Sequence, residues 1–214
     1  PDYISAKKMR ETYEGNVFSC MGCVDGRESV KWREKGSDKI NESFIQDMWI
    51  HLCLHNTVQE QEPDSPHLYI DLENIEVYDT LRGFVDCKRI IRNAYQSDWK
   101  IVHFSNGKQI KCTCDHPFFT LNHGRVFASE LSVGDSVYFN DGNNGTVEVS
   151  IVEIESDNTV AYSYDVTTES DFFEVSGMYS HNCRSFLSPW KDENGNYKWE
   201  GRFNQGKRDN ALIA

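Results

Sequence analysis

The chain has 214 residues and a formal net charge of −12. This length allows one or two domains with a sizeable core, and 38% hydrophobic with 26% charged residues is ordinary for a globular protein. The acidic balance argues against a nucleic-acid-binding surface, which needs clustered Lys and Arg to neutralise phosphates. No apolar run approaches the roughly 20 residues that a membrane helix needs, so we expect neither nucleic acid nor membrane as a partner.

Seven cysteines are scattered along the chain, at positions 20, 23, 53, 87, 112, 114 and 183. An odd count without regular spacing does not match a secreted disulfide framework. A cytoplasmic protein with one or two chemically active thiols fits better. Cys20 and Cys23 form a C-x-x-C, which is also compatible with a redox pair or half of a zinc site. No second C-x-x-C completes such a site.

The first part of the chain favours helices. The polar stretch 2–13 predicts a short helix that ends at Gly15-Asn16. Residues 43–56 carry apolar side chains at helical spacing, which predicts an amphipathic helix capped by Asn41 or Ser43. The acidic, proline-containing stretch 59–66 predicts an exposed loop.

From residue 68 onward, short runs typical of β-strands alternate with turn residues. We predict strands at 68–70, 75–79, 83–92, 100–105, 109–113, 126–128, 136–140, 147–155, 161–168 and 172–175. Asn106-Gly107 predicts a two-residue hairpin, and Asn194-Gly195 predicts another between 186–190 and 197–199. The pattern indicates an all-β domain with one early helix.

Four short features contain candidate functional residues. They are Cys23, the T-x-x-H from Thr113 to His116, the tripeptide Tyr164-Asp165-Val166, and the run His181-Asn182-Cys183. Each is weak evidence alone, because a single His or Cys is more often a structural residue. Their order and spacing together point to one reaction centre.

With these motifs the sequence resembles an intein of the Hint (Hedgehog/intein) superfamily. The segment CVDGRESVKWREKG is similar to the N-terminal splicing motif, and KCTCDHPFFT is similar to the T-x-x-H motif. ASELSVGDSVYF resembles the segment that follows it, and YDVTTESDFFEVSGMYSHNC resembles the C-terminal pair of motifs. The resemblance extends from residue 23 to residue 182.

The resemblance implies a mostly β, horseshoe-shaped fold with pseudo-two-fold symmetry and one or two short helices. It divides the chain into an N-terminal flank (1–22), the intein (23–182) and a C-terminal flank (183–214). It also implies self-splicing in cis, without cofactor or metal, by a chain that is a monomer.

The resemblance implies that, in the first step of splicing, the Cys23 sulfur attacks the carbonyl of Gly22 and converts that amide to a thioester. His116 would donate a proton to the departing amide nitrogen. Thr113 and nearby backbone N–H groups would stabilise the oxyanion.

In the later steps, Cys183 would take over the N-terminal flank, with Asp165 favouring its thiolate. The Asn182 side chain would then cyclise to a succinimide and release the C-terminal flank, and His181 would polarise the carbonyl or protonate the leaving group. Gly22, Cys23, Asn182 and Cys183 are thus the expected splice junctions.

Two positions depart from the family pattern. Ser170 stands where many inteins have a His about twelve residues before the terminal Asn, and Arg27-Glu28 stands where an acidic residue and Thr are usual. No LAGLIDADG-type motif is present, and only a tight turn joins Phe139 to Thr146. We therefore expect a mini-intein without an endonuclease domain.

The two flanks read as one protein when the intein is removed. Joined, they give FSCMGCRSFLSPW, which resembles the active-site region of anaerobic (class III) ribonucleoside-triphosphate reductase. Three alternatives stay open: a Hint domain that cleaves without ligation, an inert β-rich insertion in a radical enzyme, and a zinc-binding interaction module.

Overall fold

The computed structural model describes residues 22–60, 67–143 and 145–181, together with two short strands at 190–191 and 197–198. The predicted helix at 2–13 therefore lies outside the described residues. The strands are β1 Val24–Asp25, β2 Ser29–Glu34, β3 Asn41–Phe44, β4 Gln59–Glu60, β5 Leu68–Asp71, β6 Ile75–Asp79, β7 Gly83–Gln96, β8 Trp99–Phe104, β9 Gln109–Thr113, β10 Pro117–Thr120, β11 Gly124–Phe127, β12 Ser136–Asn140, β13 Thr146–Asp157, β14 Ala161–Thr168, β15 Phe172–Val175, β16 Met178–His181, β17 Trp190–Lys191 and β18 Tyr197–Lys198.

All described strand pairs of the main sheet are antiparallel, and the last strand of the sheet pairs with one near its beginning. Its strand order is β11-β10-β12-β13-β8-β9-β1-β14-β7-β6-β2-β15-β16, and β16 pairs again with β12 through Phe139 and Met178. The last strand of this order, β16, thus lies beside strands near its beginning. The predicted mostly β class is confirmed.

Two long strands, β7 and β13, repeat one arrangement in the two parts of the sheet. The first part of β7 pairs with β6, and its second part pairs with β5 and β14. The first part of β13 likewise pairs with β12, and its second part pairs with β8. This repetition agrees with the expected pseudo-two-fold symmetry.

The short strand β1 lies between β9 and β14. Val24 is opposite Cys112 on one side and opposite Tyr164 on the other. Two residues are too few to show any hydrophobic periodicity, so this strand could not be predicted from the sequence. Its position matters because Cys23 directly precedes it.

One α-helix occurs among the described residues, α1 at Ile45–Cys53, and a single 3-10 turn lies at 128–130. The predicted bounds of 43–56 were too long, and the predicted caps were wrong. Asn41 and Ser43 lie in β3, and no side chain caps the helix. Its first N–H groups instead donate to the carbonyl groups of Glu28 and Gly26, so the N-terminal motif itself caps the helix.

The apolar stripe of α1 packs into the sheet as predicted. Its buried side chains, Ile45, Met48, Trp49 and Leu52, join one continuous core with residues from most strands. Trp49 contacts Tyr164 edge to face, with 6.5 Å between the ring centres. This contact fixes the helix against β14, the strand that carries one of the candidate site residues.

Most predicted strands are confirmed within a few residues. The hairpin at Asn106-Gly107 is also confirmed: Gly107 has φ +79°, and its N–H donates to the Phe104 carbonyl. In the predicted hairpin at Asn194-Gly195, β17 and β18 pair as expected, and the turn lies outside the described residues. The predicted loop 59–66 was partly wrong, because Gln59 and Glu60 pair with β5. Between residues 22 and 181, as far as described, no helix is long and apolar enough to span a membrane.

Candidate functional site

Cys23 is buried, and Thr113 holds its backbone. The Cys23 N–H donates to Thr113 Oγ1 at 3.0 Å, and the Thr113 N–H donates to the Cys23 carbonyl at 2.9 Å. The Thr113 hydroxyl in turn donates to Asp115 Oδ1 at 2.6 Å. The first T-x-x-H residue therefore contacts the nitrogen of the peptide bond that joins residue 22 to residue 23.

Gly22 is buried against the turn that contains the His of the T-x-x-H motif. Its φ is +95°, and a Cβ atom there would fall 2.3 Å from Pro117 Cδ and 2.9 Å from His116 Cα. Real Cβ atoms essentially never show such distances, and φ values near +95° strain residues with a side chain. The chain therefore approaches His116 closely only because residue 22 is glycine.

His116 is buried and is neutral near pH 7. Its pKa is lowered to about 4, chiefly by burial and to a smaller extent by nearby His181. The Gly22 carbonyl acts in the opposite direction and raises the pKa. His116 Nε2 forms a hydrogen bond with Ser180 Oγ at 3.1 Å. Nδ1 is buried without a hydrogen bond among the described residues, and is therefore the nitrogen left for the adjacent peptide.

His181 lies at the end of β16 in an aromatic environment. Its ring contacts Phe172 edge to face with 4.9 Å between centres, and Phe119 at 5.7 Å. Ser180, the residue before it on β16, forms a hydrogen bond with His116 Nε2 at 3.1 Å, so this strand brings the two predicted histidines near each other. Asn182 and Cys183, the two remaining predicted residues of this motif, lie outside the described residues.

Asp165 is buried on β14, next to the start of β1. Tyr164 is opposite Val24 and Ser163 is opposite Asp25, so continuing this register by one residue brings Asp165 opposite Cys23. The predicted residues on three separate motifs thus converge: Thr113 flanks Cys23 on one side and Asp165 flanks it on the other.

Ser170, the departure from the family pattern, has a local role in the structure. Its hydroxyl donates to the Phe172 carbonyl at 3.0 Å, and it accepts from the Phe172 N–H at 3.3 Å. These bonds shape the turn at Asp171, which has φ +66°. The Ser170 hydroxyl is therefore engaged by its own turn.

Glu28, the second departure, is a buried carboxyl group that joins three distant segments. Ser176 Oγ donates to its Oε2 at 2.5 Å, and the Lys111 N–H donates to its Oε1 at 2.8 Å. Burial raises the pKa of Glu28 from 4.5 to about 7, despite both hydrogen bonds. Because the pKa is higher in the folded chain, the stabilisation that this group contributes is present below pH 4.5 and is lost as the pH rises through 7.

Two residues that the sequence interpretation missed form a hydrogen-bond chain that ends at the sulfur of Cys23. Asn93 Nδ2 donates to Cys23 Sγ at 3.1 Å, and Asn93 Oδ1 is 2.9 Å from His67 Nδ1. All three side chains are buried. The sequence around Asn93 in β7 also contains charged residues, so neither Asn93 nor His67 stood out.

The other described cysteines are poor nucleophiles. Burial raises the pKa of Cys87 to about 12, that of Cys114 to about 11, and that of Cys112 well above its ordinary value. Burial also raises the pKa of Cys53. These thiols stay protonated near pH 7, so they are unreactive.

One group of three potential metal ligands occurs in the part of the chain that the structure describes. It consists of His103, Glu153 and Glu155, whose ligand atoms lie within 4.8 Å of one another. Both carboxylates are exposed, and exposed acidic groups are common without a metal. Cys23 is not part of this group, and Cys20 lies outside the described residues.

Comparison with solved structures finds the same fold in inteins. The crystal structure of the transcription factor IIB Mvu mini-intein has a TM-score of 0.62 and 21% identity, over 74% of this chain and 99% of that chain. The TvoVMA intein has a TM-score of 0.65 and 20% identity, over 77% and 100%. A DnaB intein from Synechocystis sp. PCC 6803 has a TM-score of 0.52 and 18% identity, over 76% and 99%.

No protein-family model and no curated protein matches the sequence. The structural similarity therefore establishes the mostly β Hint/intein fold that the motifs led us to expect. A fold alone does not establish an activity, so the activity must be argued from the site.

Proposed function

We propose that residues 23–182 form a mini-intein that excises itself and joins its flanks. The observation that carries this proposal is the environment of the peptide bond between Gly22 and Cys23. Its nitrogen donates to Thr113 Oγ1, its glycine packs against His116, and the nucleophile that would attack it is the buried Cys23. An inert insertion has no need for this arrangement.

The first step is an exchange of an amide for a thioester. The Cys23 sulfur bonds to the Gly22 carbonyl carbon, the C–N bond breaks, and the thiol proton ends on the Cys23 nitrogen. In the neutral tautomer in which Ser180 donates to Nε2, the proton of His116 lies on Nδ1. His116 then donates from Nδ1 to the Gly22 oxygen as negative charge develops there. Desolvation in this buried site strengthens that interaction.

Thr113 acts on the Cys23 nitrogen, which leaves the Gly22 carbonyl carbon in this mechanism. Its hydroxyl already accepts from the Cys23 N–H, and Asp115 orients it through a 2.6 Å hydrogen bond. As the nitrogen becomes an amine, the same hydroxyl can donate to it and pass on the proton. This assignment exchanges the roles that the family resemblance gave to His116 and Thr113.

The later steps rest on the position of β16. This strand ends at His181, one residue before Asn182, and Ser180 on the same strand bonds His116. We infer that the second junction is delivered along β16 to the first. Cys183 then takes the acyl group from Cys23, with Asp165 as the neighbouring proton acceptor. Asn182 cyclises with the help of His181 and releases the C-terminal flank.

The flanks at 1–22 and 183–214 are proposed to belong to an anaerobic class III ribonucleoside-triphosphate reductase. The support is the continuity of FSCMGCRSFLSPW across the excised segment. Because the insertion would separate neighbouring cysteines of that active site, the host would be inactive before splicing. The proposed splicing reaction needs no cofactor and acts on the chain's own flanks.

A thiol-trapping experiment tests the first step. In the chain with Asn182→Ala and Cys183→Ala, the later steps are blocked, so a thioester at Gly22 accumulates and dithiothreitol cleaves it. We expect release of the peptide 1–22, and no release when Cys23 is also replaced by Ala. Absence of thiol-dependent cleavage from the chain with Cys23 intact would rule out the proposed function.

A further inference from the structure

We propose that Asn93 is a further catalytic residue, whose amide donates a hydrogen bond to the attacking sulfur of Cys23, and that His67 is its positioning residue. This inference rests on the proposed function, since it assigns a role in the first step of splicing. It concerns the sulfur of Cys23, whereas Thr113 bonds the backbone nitrogen of that residue.

Asn93 reaches the sulfur from an irregular point in β7. The register between β7 and β14 shifts there: Arg92 is opposite Tyr164, and Tyr95 is opposite Tyr162. Two residues of β7, Asn93 and the one after it, therefore face one residue of β14, which is the geometry of a β-bulge. Bulges redirect side chains and are frequent beside active sites. Here the redirected amide nitrogen lies 3.1 Å from Cys23 Sγ.

His67 determines which end of the Asn93 amide faces the sulfur. Asn93 Oδ1 can only accept, so the His67 Nδ1 atom 2.9 Å away must carry the proton and donate. With its oxygen held by His67, the amide directs its NH₂ group at Cys23 Sγ. Asn93 and His67 are both buried, so water competes little for these bonds and the orientation is maintained.

The chemical consequence is a preference for the thiolate. A donor to sulfur gains strength when the sulfur becomes negative, because hydrogen bonds to charged groups are about twice as strong as neutral ones. A neutral amide supplies this without adding a buried charge. The thiolate is the nucleophile in the attack on Gly22, so the donor raises the reactive fraction. When the S–C bond has formed and the C–N bond has broken, the sulfur is uncharged and the hydrogen bond weakens again.

Thiol-dependent cleavage in the full chain with Asn182→Ala and Cys183→Ala measures this effect, followed by intact mass from pH 5.5 to 9. We expect Asn93→Ala to slow cleavage at pH 7 by about 10- to 100-fold, as loss of a bond to a charged group predicts. The midpoint of its pH–rate profile should move upward by about one to two pH units. Asn93→Asp, which cannot donate when ionised, should slow cleavage at least as much.

His67 variants separate positioning from mere structural support. His67→Ala should shift the pH midpoint in the same direction by less, and His67→Gln, which keeps an N–H donor, should restore it. Asn140→Ala is the matched control, because Asn140 is an amide on β12 that donates to Glu174 and is not part of the Cys23 hydrogen-bond chain. It should leave the pH profile unchanged.

A readout independent of splicing completes the test. In the chain labelled with ¹³Cβ-cysteine, the Cys23 resonance is titrated by NMR in the parent and in Asn93→Ala. A higher midpoint in the variant supports the inference. An equal midpoint overturns it, as does a rate loss in Asn93→Ala that is the same at every pH. If the parent titrates as expected but never cleaves, the proposed function fails and the role of Asn93 at the sulfur stands.

Discussion

The substitution Gly22→Ala perturbs the scissile peptide through backbone geometry alone. A side chain at φ +95° costs about 1–2 kcal/mol. The new Cβ would also lie 2.3 Å from Pro117 Cδ and 2.9 Å from His116 Cα, and overpacking of this kind costs about 1–3 kcal/mol. The total is about 2–5 kcal/mol.

The cheapest way to relieve this strain is to move residue 22. Pro117 begins β10, which is paired on both sides, and His116 directly precedes it, whereas residue 22 precedes the first strand. The Gly22 carbonyl would therefore move away from His116. A misplacement of about 1 Å can cost 10²-fold in rate, so we expect thiol-dependent cleavage at this bond to fall by about 100-fold or more.

Gly36→Ala provides a matched control. Gly36 has φ +80°, but a Cβ atom there would meet nothing within 4 Å. This variant should lose about 1–2 kcal/mol of stability and a few degrees in melting temperature, while cleavage at Gly22 stays at the parent rate. Cleavage in Gly22→Ala within threefold of Gly36→Ala would refute the argument that close approach to His116 drives the first step.

Three further predictions follow from the hydrogen bonds and pKa shifts of the site. Thr113→Val should slow cleavage at Gly22 by about 10²–10⁴-fold, because the departing Cys23 nitrogen loses the hydroxyl that passes it a proton. Thr113→Ser should keep most of the rate, and single-turnover kinetics distinguish the two variants. The His116 ring should show no NMR titration between pH 5.5 and 8, since its pKa is lowered to about 4; a midpoint near 6.5 would contradict its burial. Glu28→Gln should remove the fall in stability between pH 4.5 and 7 that the raised pKa of Glu28 implies, about 3 kcal/mol. Urea unfolding of the parent and of the variant at pH 5 and pH 8 measures this fall in stability. The stability that His116 contributes changes in the opposite direction, because it is lost as the pH falls from 6.5 to 4. This contribution is the same in both chains and cancels when they are compared.

The sequence was most informative where one local pattern determined one local structure. The hairpin at Asn106-Gly107 and the apolar stripe of α1 are such cases, because turn chemistry and helical periodicity act within a few residues. The chemistry of Cys23, Thr113 and His116 came from the family resemblance. Their convergence is visible only in the sheet, where β1 pairs with β9 and β14.

The sequence was least informative where the partner is distant and is a backbone group. The cap of α1 is made by the carbonyl groups of Glu28 and Gly26, so a search for a capping side chain could only mislead. Asn93 is 70 residues from Cys23, and its approach depends on a bulge that no residue type announces. Glu28 is a similar case, because its hydrogen-bond partners Ser176 and Lys111 are distant in sequence. From the sequence, Arg27-Glu28 was interpreted only as a departure from a motif.

The most direct test of self-splicing is the intact mass of the unmodified chain followed over time. We expect the 160-residue segment 23–182 to be lost and a 54-residue product to appear, in which Gly22 is joined to Cys183 by an amide. A mass that stays unchanged under reducing conditions, or flanks that are released without being joined, would contradict it.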